Sequence, residues 1–221
     1  MLSQLERQLQ EQDTPPFLFV GSGMSIRYLG LENWRDLLTL FCVCGKPFQY
    51  YYSTANSCLP KVATLLSDDF HHMWWADDKY KESRKTYSSQ ADHSDSALKI
   101  EICKHISRRQ QSIVLSEEIQ EEISLLSTSC VDGIITTNWD NLLEKIFPEF
   151  TIYIGQEELL SQSQESISEI YKIHGCCTSP NSLVLTDEDY ARYNDKNAYL
   201  AAKLLTIFIE HPVIFFGILS F

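Results

Sequence analysis

Residues 133–147, GIITTNWDNLLEKIF, combine a buried strand with the start of an amphipathic helix. The run 133–137 is short, apolar and rich in β-branched residues, as parallel strands are when both of their faces are covered. The apolar residues of the following NLLEKIF recur at helical spacing. Between the two lie Asn138, Trp139 and Asp140, although a strand-to-helix turn needs only one capping residue. These side chains therefore indicate a function beyond capping.

Four other apolar runs have the same character as this strand, namely 16–21, 150–154, 169–173 and 212–217. SLVLT at 182–186 is a possible sixth strand at an edge of the sheet. Amphipathic helical patterns lie between the runs, among them LENWRDLLTLF with Asn33 as its expected N-cap. Strands that alternate with helices predict an α/β fold, a Rossmann-like doubly wound parallel sheet.

The segment from about 42 to 130 differs from the rest because it contains no strand pattern and several helical ones. We interpret it as an all-helical insertion within one domain that covers residues 1–221. The sequence ends at VIFFGILSF, directly after the last apolar run. We therefore expect the chain to be truncated at its C-terminus and to be the front part of a longer protein.

Composition restricts the function further. The net charge is −12 and no Lys/Arg run is present, which argues against nucleic-acid binding by this domain. The N-terminus is polar rather than a signal peptide, and no apolar run reaches the length of a membrane span. Seven cysteines, an odd number, indicate reduced thiols in a cytoplasmic protein. No C-x-x-C pair occurs, so we expect neither zinc nor another metal site.

A second candidate site follows the first strand. Gly21, Ser22, Gly23 and Ser25 connect the strand to a helix, and Arg27 follows. Glycines allow the backbone to approach a pyrophosphate, and a helix start supplies N–H donors and the positive end of a dipole. The third glycine of the usual dinucleotide fingerprint is missing. A tight turn without a ligand therefore fits this stretch as well as a phosphate site does.

His174 is the third candidate, because it follows the strand 169–173 directly. In an open parallel sheet, ligands bind beyond the carboxyl ends of the strands. His174, Asn138 and the turn 21–25 all lie at such ends, so we expect them to share one edge of the sheet. The adjacent Cys176 and Cys177 are interpreted as packing residues rather than a redox pair.

Four segments in this order resemble the sirtuin-like NAD-binding fold: FVGSGMSIRYLGLENWRDLL, TTNWD, KIHG and VIFFGILS. The resemblance covers residues 15–41 and 131–221. The sequence lacks the Pro-x-Phe-Arg signature and the zinc cysteines of protein-deacylating sirtuins. It is more similar to the sirtuin-like domains of bacterial antiphage defence proteins. In those proteins an N-terminal effector hydrolyses NAD+ when a C-terminal sensor, often an oligomerising module, detects infection.

The resemblance implies an NAD+ glycohydrolase that acts in abortive infection and forms nicotinamide and ADP-ribose. It implies a catalytic pair, Asn138 and His174. It implies NAD+ contacts from the residues Gly21, Ser22, Gly23, Ser25, Arg27, Asp140, Gly217 and Ser220. It also implies a C-terminal sensor or oligomerisation module, self-association, no zinc and no membrane. The alternatives are a sirtuin-type deacylase and a non-catalytic sensor that binds NAD or ADP-ribose. Whether NAD+ is hydrolysed to ADP-ribose or converted to cyclic ADP-ribose stays open.

Overall fold

The structure, a computed structural model, describes residues 14–161 and 168–218. Five strands form one parallel sheet in the order β3-β4-β2-β1-β5. Their bounds are Phe17–Val20 (β1), Gly133–Thr136 (β2), Thr151–Ile154 (β3), Glu169–Lys172 (β4) and Val213–Phe216 (β5). Each strand lies within an apolar run identified in the sequence, and the predicted Rossmann-like α/β fold is confirmed.

Burial explains why the sequence marks these strands so clearly. All four residues of β2 and all four of β4 are buried, since both strands lie inside the sheet. Strands covered on both faces need apolar side chains at successive positions. The edge strand β5 is more open, and the ring of Phe215 is 64% exposed.

Eleven α-helices are found in the described part of the chain. In chain order they are α1 (Ser22–Leu29), α2 (Trp34–Leu40), α3 (Phe48–Thr54), α4 (Leu59–Ala76), α5 (Lys81–Tyr87), α6 (Ser96–Ser112), α7 (Glu117–Ser127), α8 (Leu142–Ile146), α9 (Gly155–Ser161), α10 (Asp187–Lys196) and α11 (Ala198–Glu210). The predicted N-cap of α2 is confirmed, since Asn33 Oδ1 accepts a hydrogen bond from the Asp36 N–H at 2.9 Å. Among the residues described, no helix combines the length and apolarity that crossing a membrane requires.

The chain divides into two compact units. The sheet unit contains the described residues of 1–30, 112–176 and 197–221, and the helical unit contains 31–111 and 177–196. The helical unit thus includes α2 and α10 in addition to most of the segment expected as an insertion, 42–130. Helix α7 belongs with the sheet.

Two buried polar side chains of the helical unit, Lys99 and Trp74, have partners within that unit. Lys99, 4% exposed, lies 2.7 Å from Asp95 Oδ2 and 2.8 Å from Asp189 Oδ2. Trp74 is fully buried and its Nε1 donates to Glu101 Oε1 at 3.1 Å. Such pairing is required, because an unpaired buried charge or donor costs more than the net value of the bond.

The prediction of a sixth strand at 182–186 is wrong. A 3₁₀ turn spans Pro180–Ser182, and the residues after it form no strand although they are buried. The backbone N–H groups of Leu185 and Thr186 donate instead to Asp189 Oδ2, at 3.0 and 2.9 Å. One carboxylate therefore satisfies the donors that a neighbouring strand would otherwise have to satisfy, and the apolar run packs as a loop.

Candidate functional site

Four neighbouring strands end at the same height. In the sheet register Val20 is level with Thr136 and with Phe216, and Thr136 is level with Lys172. Neighbouring strands lie roughly 4.8 Å apart, so the ends of β4, β2, β1 and β5 span about 14 Å. We call the residues that follow these four ends the carboxyl edge. It contains Asn138, His174, Gly217 and the turn that begins at Gly21, as the sequence predicts.

The glycine turn lies against the end of β5. Gly21 caps α1 in extended backbone conformation, and the N–H of Gly23 donates to the carbonyl of Gly217 at 2.8 Å. A Cβ on Gly23 would lie 2.7 Å from that oxygen, and Gly217 itself has a φ of 65°. These two glycines therefore permit close packing of backbone on backbone. Binding of a pyrophosphate by this turn stays a prediction, and the Gly23 N–H already has a partner.

Asn138 connects the end of β2 to the glycine turn. Its side chain is buried, and Nδ2 donates to the carbonyl of Gly21 at 2.9 Å. Its backbone N–H donates to Thr136 Oγ1 at 3.0 Å, which fixes the first step of the turn. Oδ1 accepts no hydrogen bond from the described residues. The amide is thus held by its nitrogen, while its oxygen is left as an acceptor.

Asp140 holds two elements with one carboxylate. Oδ1 accepts from the N–H of Leu142 at 3.0 Å and so caps α8, because the side chain of Asn141 makes no capping bond. Oδ2 accepts from the hydroxyl of the buried Ser25 at 2.5 Å. Capping therefore accounts for one oxygen and Ser25 for the other. A contact between Asp140 and nicotinamide stays a prediction.

Trp139 lies between these two residues and is half-buried. Its indole Nε1 is buried and has no hydrogen-bond partner among the described residues. A buried donor without a partner is uncommon in native proteins. The indole thus provides apolar surface together with a donor that no described residue uses.

Lys172, the last residue of β4, is a site residue that the sequence analysis missed. Its side chain is fully buried, lies 2.6 Å from Glu144 Oε1 and donates to the backbone carbonyl of Asp140. Burial lowers the pKa of Lys172, but Glu144, together with Cys176 and Asp140, more than offsets this effect, so the pKa lies above its ordinary value. The signal in the sequence was a lysine inside a predicted buried strand, EIYKI.

His174 lies two residues beyond the end of β4, in a turn that Gly175 continues with a φ of 89°. The ring is half-buried, and burial lowers the pKa of His174 from 6.5 to about 4 because the imidazolium loses its hydration. The imidazole is therefore neutral at neutral pH. A neutral ring has a nitrogen lone pair that can accept a proton.

Arg27 is engaged in a different place. It lies in the last turn of α1, about 8 Å along the helix axis from Ser22. Its Nε donates to Glu122 Oε2 at 2.9 Å and a second guanidinium nitrogen donates to Oε1. The hydrogen bond and charge of Glu122 raise the pKa of Arg27. A phosphate contact from Arg27 stays a prediction that requires the guanidinium to leave this carboxylate.

The other two predicted contacts differ in what the structure shows. Ser22 is the first residue of α1 and is half-buried, so its hydroxyl lies at the helix start as expected. Ser220 lies outside the described residues. No group of three or more His, Cys, Asp or Glu side chains within 14–161 and 168–218 is arranged to hold a metal ion.

With the carboxyl edge described, comparison with known families becomes informative. Residues 132–219 match the family model of the SIR2-like domain. The SIR2-like segment contains β2 to β5 and, with them, Asn138, Asp140, His174 and Gly217. It confirms the sirtuin-like resemblance over this part of the chain and supports an NAD-related enzymatic function. The glycine turn after β1 lies before the segment that the family model matches. Comparison with individual characterised proteins gives no significant match.

Proposed function

We propose that this chain is an NAD+ glycohydrolase, with Asn138 and His174 as its catalytic pair. The observation that supports the proposal most is the carboxyl edge of the SIR2-like segment. There, strands β2 and β4 are neighbours with level ends, and each continues within two residues into one member of the pair. One strand spacing of roughly 4.8 Å separates the two chain paths. A buried amide and a neutral imidazole on neighbouring strand ends are close enough to act on the same small reacting group.

The chemistry matches these two side chains. In NAD+ the ribose C1′ is bonded to a cationic nicotinamide, which leaves as a neutral molecule when that bond breaks and needs no general acid. The transition state resembles an oxocarbenium ion, and water supplies the new C1′–O bond. The free acceptor, Asn138 Oδ1, orients the water or a ribose hydroxyl, and the neutral His174 ring takes the proton that the water releases.

We propose that the rest of NAD+ extends along the carboxyl edge towards β5. The pyrophosphate then meets the start of α1, where the helix dipole favours negative charge and Ser22 carries a hydroxyl, and the Ser25 hydroxyl exchanges Asp140 for a phosphate oxygen. The Gly23 N–H exchanges the Gly217 carbonyl for a phosphate oxygen in this arrangement. Adenosine lies beside Gly217 and Ser220.

The product pattern tests the proposal. The full-length protein is incubated with NAD+, and nicotinamide and ADP-ribose are quantified by chromatography. We expect the two products in equal amounts. A parallel incubation with NAD+ and an acetylated peptide measures deacylation. If the peptide is deacetylated, and NAD+ is not consumed when the peptide is left out, the protein is a deacylase instead. Formation of cyclic ADP-ribose as the main product would show that a hydroxyl of the substrate outcompetes water.

We also propose the biological setting that the resemblance implies. The chain acts in the cytoplasm as an abortive-infection effector, is controlled by a C-terminal sensor module and self-associates when active. The test measures the NAD+ pool of bacteria that express the whole protein, before and after phage infection, together with the mass of the purified complex. An NAD+ pool that stays constant through infection would contradict the defence role without touching the enzymatic proposal.

A further inference from the structure

A buried ammonium lies between the two chain segments that carry the proposed catalytic pair. Lys172 ends β4, two residues before His174, and its side chain is fully buried. Its Nζ donates to the backbone carbonyl of Asp140, which lies two residues after Asn138. One side chain therefore connects the β4 end to the turn that follows β2.

Glu144 is the counter-ion of this lysine. Its Oε1 lies 2.6 Å from Nζ, whereas its Oε2 is buried and has no hydrogen-bond partner in the part of the chain that the structure describes. A buried ion pair of this kind is weak evidence for stability, because desolvation of both groups offsets much of their attraction. Stability alone therefore does not explain why a lysine occupies the end of a strand that is buried throughout.

The turn that Lys172 holds is anchored to several neighbouring elements. Residues 137–141 form neither helix nor strand, and the turn is fixed by the side-chain bonds of Asn138 and Asp140 at its centre. Those bonds join the turn to the glycine turn after β1 and to α8. The bond from Lys172 joins the turn to the last residue of β4, two positions before His174, and a contact of Cys176 Sγ with Asn141 Oδ1 at 3.8 Å joins the turn to the segment that follows His174.

We propose that Lys172 is a positioning residue, which holds the carbonyl of Asp140 and thereby fixes the Asn138 turn relative to His174. This inference rests on the proposed function. Lys172 touches neither water nor substrate in the reaction and acts through the turn. Misplacement of a catalytic group by about 1 Å can cost on the order of 100-fold in rate.

Two variants separate positioning from stability. Lys172→Met/Glu144→Met removes both charges together and leaves apolar side chains of similar length, a replacement that proteins commonly tolerate. Glu144→Gln is the matched control. It removes the counter-ion, but the amine of Lys172 still donates to the Asp140 carbonyl whether it is charged or neutral.

For the double variant we expect a folded protein whose unfolding midpoint lies near that of the parent. We expect its kcat for NAD+ to fall by about 10- to 100-fold while KM changes by less than about threefold. Glu144→Gln should keep kcat within about threefold of the parent. A folded double variant with the same kcat as Glu144→Gln would overturn the proposal, because the ion pair would then be structural only.

A second readout does not depend on activity. The amide of Leu142 donates to Asp140 Oδ1, so its hydrogen exchange reports how firmly the turn is held. Exchange at Leu142 should be faster in the double variant than in Glu144→Gln, and equal rates would overturn the anchoring itself. If the parent does not hydrolyse NAD+ while the exchange rates differ as expected, the anchoring holds and the proposed function is the part that fails.

Discussion

Replacing His174 with glutamine removes a titrating ring from the carboxyl edge but keeps a polar side chain there. Burial lowers the pKa of His174 from 6.5 to about 4 in the folded protein. As the pH falls, the unfolded chain takes up this proton near its ordinary pKa and the folded protein takes it up only near 4. The unfolded state therefore binds more protons between these values, and the free energy of unfolding decreases as the pH is lowered.

The size of the effect follows from the two pKa values. At 1.36 kcal/mol per pKa unit the full difference corresponds to on the order of 3 kcal/mol. Between about pH 7 and about pH 4.5, His174 accounts for a loss of about 2 kcal/mol in the free energy of unfolding. His174→Gln lacks this loss, so its stability should depend less steeply on pH by that amount. The remaining titrating groups contribute equally to the pH dependence of both proteins.

Denaturant unfolding at the two pH values measures the difference directly. His93→Gln, at an exposed position of the helical unit, is the control for exchanging a histidine for a glutamine. If the parent and His174→Gln lose the same stability between the two pH values, the ring is not held neutral by burial. The argument for His174 as a base that is ready at neutral pH would then fail.

Three further substitutions test other parts of the site. Gly217→Ala should lower the free energy of unfolding by about 1–3 kcal/mol more than its control, Gly155→Ala. The two glycines have φ values of 65° and 64°, but only a Cβ on Gly217 would meet a backbone nitrogen, at 2.7 Å. Equal losses in thermal or denaturant unfolding would contradict the close packing at Gly217. Ser25→Ala should cost roughly 1–3 kcal/mol in the same measurement, because the buried Asp140 carboxylate loses a hydrogen bond, and an unchanged midpoint would contradict that bond. Arg27→Ala should raise the KM for NAD+ by about 10-fold or more if the guanidinium leaves its carboxylate for a phosphate, whereas an unchanged KM would limit Arg27 to its ion pair.

The strands were predictable because burial on both faces leaves a direct mark on the sequence. Residues 133–136 and 169–172 are buried throughout, and their apolar runs indicated strands with nearly the observed bounds. The run 182–186 shows the limit of this signal. Its residues 183–186 are also buried, but the carboxylate of Asp189, three residues further on, accepts the backbone donors of Leu185 and Thr186. Apolarity thus reports burial and does not report which partner the backbone finds.

The composition of the carboxyl edge was predictable for a related reason. Once the strands are parallel, their ends fall at one edge, so Asn138, His174 and the glycine turn had to be near one another. The individual partners were not predictable, because contacts between positions far apart in sequence depend on packing. The bonds of Ser25 to Asp140 and of Lys172 to Glu144 are of this kind.

The most direct test of the central claim compares kcat for NAD+ hydrolysis in the parent, Asn138→Ala, His174→Ala and the double variant, after unfolding midpoints show that all four are folded. If the two residues act as one catalytic pair, each single substitution should lower kcat on the order of 100-fold, and the double substitution should lower it little further. A single variant that hydrolyses NAD+ as fast as the parent, or two losses that multiply in the double variant, would contradict a shared site at the carboxyl edge.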